Sequence, residues 1–314
     1  MRFGQVNSRP ALLDADTWVD VVAASGGRFG SADAIFAAWP EFLAWATDVL
    51  SAGPDSGGRH PLDGVTIQAP QPTPRQVFGA GLNYGSHLAE AGRPVPDLPL
   101  LFTKFPSAIA GPGDDVVLAT DMVDFEAELV VVMGAHADRV EQEAAWSYVA
   151  GLTAGQDLSA RDVQRSGQLS IGKSFRTFAP TGPWIVTVDE FADPDDIGLR
   201  CVLNGEVVQD GRTSDMVFGV AELIALLSAV TPLLPGDLIF TGTPAGVGVF
   251  REPKLFLRPG DELVTEIEGV GTLRNTCVAV ESPNPAQRRW AAVAAPTRQP
   301  TTGPDVPATE KGNG

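Results

Sequence analysis

The stretch Val123-Asp-Phe-Glu-Ala-Glu-Leu-Val-Val-Val-Met-Gly134 constrains this chain more than any other. Its apolar run reads as a buried β-strand, and two acids, Glu126 and Glu128, sit at its leading end. On a strand, residues i and i+2 point to the same face, so the two carboxylates project side by side. Burying them unpaired would cost on the order of several kcal/mol. A divalent cation removes the conflict, because carboxylate oxygens are the ligands Mg²⁺, Mn²⁺ and Ca²⁺ prefer. The same pattern also fits an edge strand with a solvated polar face. The residues around the pair have to decide.

A chain of 314 residues suits one large or two modest domains, and 44% hydrophobic with 19% charged residues is ordinary for a soluble globular protein. The formal net charge of −17 disfavours nucleic acid and anionic membrane as partners. It also means that an anionic substrate has to be drawn in by a local cation, either a metal or clustered Arg and Lys. Cys201 and Cys277 lack metal-site spacing and read as reduced thiols. The first residues carry no apolar signal region, and no apolar run reaches membrane-spanning length. A cytoplasmic enzyme or binding protein is expected.

Three regions differ in texture. Residues 1–74 hold short apolar runs, a helix-like segment over 32–50, a Gly/Pro/Asp-rich flexible stretch over 51–61 and a Pro-punctuated linker. They read as a small N-terminal α/β domain without obvious chemistry. Residues 75–281 carry strand-like runs at 77–80, 116–118, 127–133, 184–188, 199–203, 238–240 and 262–267. Helical patterns fall at 219–230 and 142–150. Strands that outnumber helices without βαβ alternation predict an α+β fold, a mixed β-roll or sandwich, rather than a doubly wound sheet. Residues 282–314, rich in Pro, Ala, Thr and Gly, are expected to be disordered.

Four stretches of the middle region place polar residues against apolar neighbours. In Gly79-Ala-Gly-Leu-Asn-Tyr-Gly-Ser-His-Leu-Ala-Glu90, His87 and Glu90 share a face if the segment is helical. A carboxylate-oriented imidazole is a general base, although an isolated His–Glu pair is more often a surface contact. The second stretch is the Glu126/Glu128 strand. In Gly155-Gln-Asp-Leu-Ser-Ala-Arg-Asp-Val-Gln164, followed by Ile171-Gly-Lys-Ser-Phe175, Asp157 stands where a strand end could carry it to a metal. The fourth, Pro235-Gly-Asp-Leu-Ile-Phe-Thr-Gly-Thr-Pro-Ala-Gly-Val-Gly248, is a strand running into a glycine-rich turn. Its free N–H groups suit an anion, though most such turns are only turns.

In this order and spacing the four stretches resemble the fumarylacetoacetate hydrolase family, from about Val77 to Thr276. The pieces that carry the resemblance are Gly-Leu-Asn-Tyr-x-x-His-x-x-Glu, Phe-Glu-Ala-Glu-Leu, Asp-x-Ser-Ala-Arg-Asp, Gly-Lys-Ser-Phe and Pro-Gly-Asp-x-Ile-x-Thr-Gly-Thr-Pro-x-Gly-Val-Gly. The resemblance implies a catalytic domain of the fumarylacetoacetase C-terminal type, a homodimer, and Mg²⁺ or Mn²⁺, with Ca²⁺ as an alternative. By position, Glu126, Glu128 and Asp157 match the metal carboxylates, and His87 and Glu90 the catalytic pair. Lys173 matches the lysine that stabilises developing negative charge. Arg161 and Gln164 match positions facing the substrate or supporting the metal, and Thr241 and Thr243 the loop that holds a substrate carboxylate or carbonyl.

The implied activity is metal-dependent hydrolysis of a C–C bond in a 1,3-diketo or acylpyruvate-type acid, with His87 and Glu90 activating water and Lys173 helping to stabilise the enolate. An oxaloacetate-type decarboxylase, an isomerase or tautomerase, or a hydratase acting on a related dicarboxylic 2-oxo acid would use the same residues. A non-catalytic ligand-binding relative is the third reading, opposed by retention of His87, Glu90 and Lys173. Gln156 replaces the family's usual Asn, Arg176 reverses the charge of a usual Asp, and Ala80 and Gly81 supply no fourth acid. His60 and His136 read as solvated, the tryptophans as core, and Asp114, Asp115, Asp121 and Asp124 as surface charge. Lys104 either lines the pocket mouth or snorkels.

Overall fold

Every residue of the strand Ala127–Met133 is buried, which places it inside a sheet covered on both faces. The computed structural model describes residues 1–52, 58–281 and 285–292. Among them the main sheet has 12 strands. Its path runs Arg59–Pro61, Thr17–Asp20, Arg9–Asp14, Arg2–Val6, Ala179–Val186, Val149–Gln156, Ala127–Met133, Leu238–Phe240, Val77–Gly81 and Leu100–Thr103. Ile67–Gln68 and Ile109–Ala110 attach off this path. A second sheet orders Glu206–Arg212, Gly198–Leu203, Glu262–Ile267, Gly271–Ala279 and Val116–Leu118. Most pairs are antiparallel, but Val77–Gly81 runs parallel to Leu238–Phe240 and Val116–Leu118 parallel to Gly271–Ala279. The fold is the expected mixed α+β type.

The alternation along the central strand divides the core. Leu129, Val131 and Met133 pack in one cluster with Val220, Ile224 and Leu227 of the helix Val220–Val230. Val130 and Val132 belong to another, with Phe36, Trp39 and Phe42. Fully burying each such side chain contributes about 1.5–3 kcal/mol. Phe3 meets Phe36 and Phe42 edge-on, with ring centroids 6.1 and 5.3 Å apart. Glu126 and Glu128 lie on the face of the strand that carries Val130 and Val132.

The N-terminal residues join this sheet. Arg2 pairs with Val186 and Phe3 with Ile185, so no break in hydrogen bonding separates residues 1–74 from the strands that follow. The 32–50 segment divides into Ala32–Ala37, capped by Ser31, and Trp39–Ser51. Pro40 explains the division: in a continuous helix its ring would clash with the carbonyl of residue 36 and it has no N–H to donate. In the first turn of the second helix both defects are harmless.

The helix expected over 142–150 is instead a 3₁₀ helix, Gln142–Tyr148, that gives way to the strand Val149–Gln156. Pairing on both sides, with Ala127–Met133 and Ala179–Val186, overrides the local helical pattern. Of the stretches expected to be flexible or disordered, residues 53–57, 282–284 and 293–314 lie outside the described residues, Arg59–Pro61 is a strand and Pro285–Ala292 a helix.

Gly155 shows how closely the central strands fit. A Cβ there would overlap Val130 Cγ2 and lie 2.7 Å from Phe240 Cε1. Gly155→Ala is expected to cost about 1–3 kcal/mol in urea unfolding. An unchanged midpoint would show that the strands have room to shift.

Candidate metal centre

Register brings the acids together. Ala127 pairs with Gln156 and Glu128 with Gly155, and the Asp157 N–H donates to the Glu126 carbonyl at 2.9 Å. Asp157, one residue past the strand end, therefore emerges beside the two glutamates. One oxygen from each of Glu126, Glu128 and Asp157 lies within 4.8 Å of the others, and all three residues are buried.

Three cations crowd the same spot. Lys173 Nζ donates to Glu126 Oε2 at 2.5 Å and also to Asp157 Oδ2. Lys104 Nζ donates to Asp157 Oδ1 at 2.6 Å and to the Lys173 carbonyl. Arg161 Nη2 reaches Glu126 Oε1 at 2.6 Å, while its Nε reaches Asp124 Oδ2 at 2.8 Å. Aromatic faces sit beside the ammonium groups, with Lys173 Nζ 4.7 Å from the Phe102 centroid.

Four buried carboxylates thus face three cations. The excess of one negative charge is felt at Glu128. Burial, then the charges of Asp157 and Glu126, push its carboxyl well above the ordinary range, against the Lys173 charge and the Gly242 N–H that donates to Oε2 at 2.8 Å. Glu126 behaves oppositely. Burial raises its pKa, but Lys173 and then Arg161 outweigh burial and hold it well below the usual range. For Lys173 burial works downward, and Asp157 and Glu126 overcome it, so that its ammonium is held charged. This donor set fits a hard divalent cation: three carboxylates converge and one of them lacks a full counter-charge. With such an ion the local balance would become one positive charge, suited to an anionic ligand.

Residues 82–84 lead into the helix Gly85–Glu90. Asn83 braces it, donating to the Phe218 and Thr241 carbonyls and accepting from the Phe218 N–H. Within one turn, His87 Nδ1 meets Glu90 Oε2 at 3.0 Å, and Glu90 Oε1 accepts the Gly246 N–H at 2.9 Å. With Glu90 ionised, Nδ1 is the donor, and Nε2 is left with its lone pair.

His87, Glu126, Glu128, Lys173, Arg161 and Gln164 all line one cavity of about 210 Å³, with Leu82, Leu100, Phe102 and Phe250 as its apolar wall. Gln164 Oε1 accepts from Arg161 Nη1, and its buried Nε2 has no partner among the described residues. A wider depression of about 670 Å³, lined by Trp184, Arg200 and Arg212, has no cluster of buried acids.

Some expected roles change. Thr243 borders the cavity, but its hydroxyl donates to the Ala127 carbonyl and accepts from Gln209 Nε2. Thr241 does not line the cavity, and its hydroxyl donates to the Leu129 carbonyl. Both threonine hydroxyls tie the loop to the central strand. Lys104, expected at the pocket mouth or snorkelling, is 1% exposed and ion-paired to Asp157. Asp124, expected on the surface, is fully buried. Asp114, Asp115 and Asp121 are exposed as expected, as are His60 and His136. Arg176 is exposed and does not line the cavity.

Comparison with known proteins gives consistent matches. The fumarylacetoacetate (FAA) hydrolase C-terminal family matches residues 76–278. A human mitochondrial protein named oxaloacetate tautomerase FAHD2A is 47% identical over 223 residues, covering 69% of this chain and 71% of its own. The crystal structure of 5-carboxymethyl-2-hydroxymuconate delta-isomerase from Mycobacterium smegmatis is 33% identical with a TM-score of 0.71, covering 90% of this chain and 100% of the other. That of maleylpyruvate hydrolase from Sphingobium sp. SYK-6, in complex with manganese(II) and pyruvate, is 27% identical with a TM-score of 0.75 over 90% and 100%.

Proposed function

This chain belongs to the fumarylacetoacetate hydrolase family, whose tautomerases, isomerases and hydrolases act on small acids, and on that premise we propose that it is a metal-dependent keto–enol tautomerase of an oxaloacetate-type 2-oxo dicarboxylic acid. The observation that carries this reading is the cavity: an imidazole with a free Nε2 shares about 210 Å³ with the Glu126 and Glu128 carboxylates and the Lys173 ammonium. That volume lies below the roughly 300–1,000 Å³ of ordinary ligand pockets and favours a short substrate. The 47% identity to a human oxaloacetate tautomerase supports the same substrate class.

Glu126, Glu128 and Asp157 would hold Mg²⁺ or Mn²⁺. Such an ion supplies Lewis-acid charge that favours the enolate over the keto form. The protein's own groups do the rest. The unpartnered Gln164 Nε2 and the Arg161 guanidinium offer donors to a substrate carboxylate. His87 Nε2 takes the proton from the carbon beside the oxo group, its imidazolium stabilised by Glu90. The C–H electron pair becomes the C=C bond, the C=O π pair moves onto the oxygen, and the proton held on the His87 imidazolium passes to that oxygen, giving the enol hydroxyl and a neutral imidazole again. Lys173 places a fixed positive charge where that oxygen turns negative. The overall net charge of −17 would repel a dianion, so these local cations are what make binding feasible.

The test is to follow the decay of enol oxaloacetate by ultraviolet absorbance with Mg²⁺ or Mn²⁺ present. An acceleration of about 10²–10⁴-fold over buffer with the metal alone is the scale expected of positioned acid–base catalysis. A rate equal to that control would sink the proposal.

A second reading, hydrolysis of a short acylpyruvate, is favoured by the His87–Glu90 pair, which can equally activate water, and by the manganese- and pyruvate-bound hydrolase relative. Release of pyruvate from an acylpyruvate identifies it. The homodimer expected from the family resemblance belongs to this proposal and is measured by sedimentation. No helix among the described residues is long and apolar enough to cross a membrane. The human relative is mitochondrial, so the cytoplasmic placement expected from the sequence finds no support in it.

A further inference from the structure

Asp124 neither belongs to the acid triad nor lines the cavity, yet it is fully buried and both of its oxygens are fully engaged. Oδ1 accepts the N–H groups of Phe125 at 2.9 Å and Gly248 at 2.7 Å. Oδ2 accepts the Val249 N–H at 3.0 Å and the Arg161 Nε–H at 2.8 Å. We infer that Asp124 is a positioning residue that locks the metal-side residues and the His87–Glu90 pair into one fixed relation.

Two arms leave this carboxylate. Through Arg161 it reaches Glu126 and Gln164, the acid triad and the unpartnered donor of the cavity. Through Gly248 and Val249 it holds the glycine-rich loop, whose Gly246 N–H fixes Glu90 and whose Phe250 ring stands 5.8 Å from the His87 ring. Arg251 clamps the same loop from the other side, with Nε on the Gly246 carbonyl at 2.8 Å. Gly248 has no room for a side chain: a Cβ would overlap the Leu255 carbonyl oxygen and lie 2.7 Å from Asp124 Oδ1. The loop can therefore approach the carboxylate only as glycine. A misplacement of about 1 Å between base and substrate can cost about 10²-fold in rate, so a tie between the two halves has catalytic consequence.

The inference rests on the cavity being the active site, so its test includes readouts that need no turnover. Asp124→Asn keeps the shape, but its amide must point N–H groups at Arg161 or at the loop, donor against donor. Mn²⁺ affinity, from the paramagnetic resonance of free Mn²⁺, should weaken about 10- to 100-fold, the scale for an outer-shell partner. Amide exchange across residues 246–249 should accelerate in the same variant. Failure of either change overturns the inference, because a single carboxylate is claimed to hold both sides.

A third readout is kcat. It should fall by about 10- to 100-fold in Asp124→Asn, with KM changed far less, and the further loss when Asp124→Asn is added to Glu90→Gln should be smaller than that, because the loop arm is already cut and only the Arg161 arm remains. A loss that multiplies across the two variants also overturns it. If the unmodified protein turns over no 2-oxo acid, the proposed reaction fails while the first two readouts still decide the role of Asp124. Should Asp124→Asn not fold, Val249→Pro removes one loop donor and leaves Arg161 paired. Faster exchange at Gly246 then supports the tie, and unchanged exchange overturns it.

Discussion

His87→Ala is expected to lower kcat by about 10²–10⁴-fold while leaving Mn²⁺ affinity and the fold as they are. The residue lines the cavity but shares no hydrogen bond with Glu126, Glu128 or Asp157, so its loss removes the proton acceptor without disturbing the acids. The imidazole bonds through Nδ1 to Glu90 alone. Glu90 keeps its second oxygen on the Gly246 N–H, which preserves the loop in the variant. Steady-state kinetics with a parallel Mn²⁺ titration is the check. Turnover close to that of the unmodified protein on every 2-oxo acid tried would remove His87 from the chemistry and favour a base that the present account does not name.

Glu128→Gln should have a divided effect: weak on the metal-free fold and severe on metal binding. Burial and the neighbouring charges of Asp157 and Glu126 make an ionised Glu128 costly in the absence of a metal. Glutamine keeps an oxygen for the Gly242 N–H that now donates to Oε2, and it removes the repulsion. Replacing an uncompensated buried charge by a neutral isostere is neutral or stabilising, so the metal-free midpoint should hold or rise. A ligand at 100 times its dissociation constant stabilises by about 2.7 kcal/mol; the unmodified protein should show that gain with Mn²⁺ and the variant should not. Activity should be lost along with the metal response. A metal-free protein weakened by the substitution, with its Mn²⁺ stabilisation intact, would mean that Glu128 serves the fold and not an ion.

The sequence discloses the site wherever a local rule sets geometry. Glu126 and Glu128 share a face because a strand has period two, and Ala127–Met133 is apolar because both faces are covered. His87 and Glu90 meet because positions three apart share a helix face. Asp157 is legible as a residue at a strand end, but only the register of Ala127 against Gln156 puts it next to Glu126.

What stays hidden are residues whose partners lie far along the chain. Lys104 looks like an isolated cation on an apolar stretch, and nothing local says that Asp157, 53 residues on, receives it. Asp124 sits among exposed acids, while its partners are the N–H groups of Gly248 and Val249 and the Arg161 side chain. Thr241 and Thr243 fit an anion-binding turn by composition, yet the backbone carbonyls of Leu129 and Ala127 take their hydroxyl protons. The first two residues of the strand Val149–Gln156 fall within the helical pattern expected over 142–150, because the strand's pairing is decided on two neighbouring strands at once. The continuity of residues 1–74 with the main sheet depends in the same way on Arg2 and Phe3 pairing with residues 186 and 185.

The proposed chemistry requires Glu126, Glu128 and Asp157 to close on one divalent ion beside His87. Anomalous diffraction from crystals equilibrated with Mn²⁺ tests it most directly. A single anomalous peak is expected within about 2.0–2.6 Å, the range for hard cations, of an oxygen from each of the three residues, with Lys173 Nζ drawn back from its bridge between Glu126 and Asp157. A map without density there, Lys173 still spanning the two acids at saturating Mn²⁺, would contradict it.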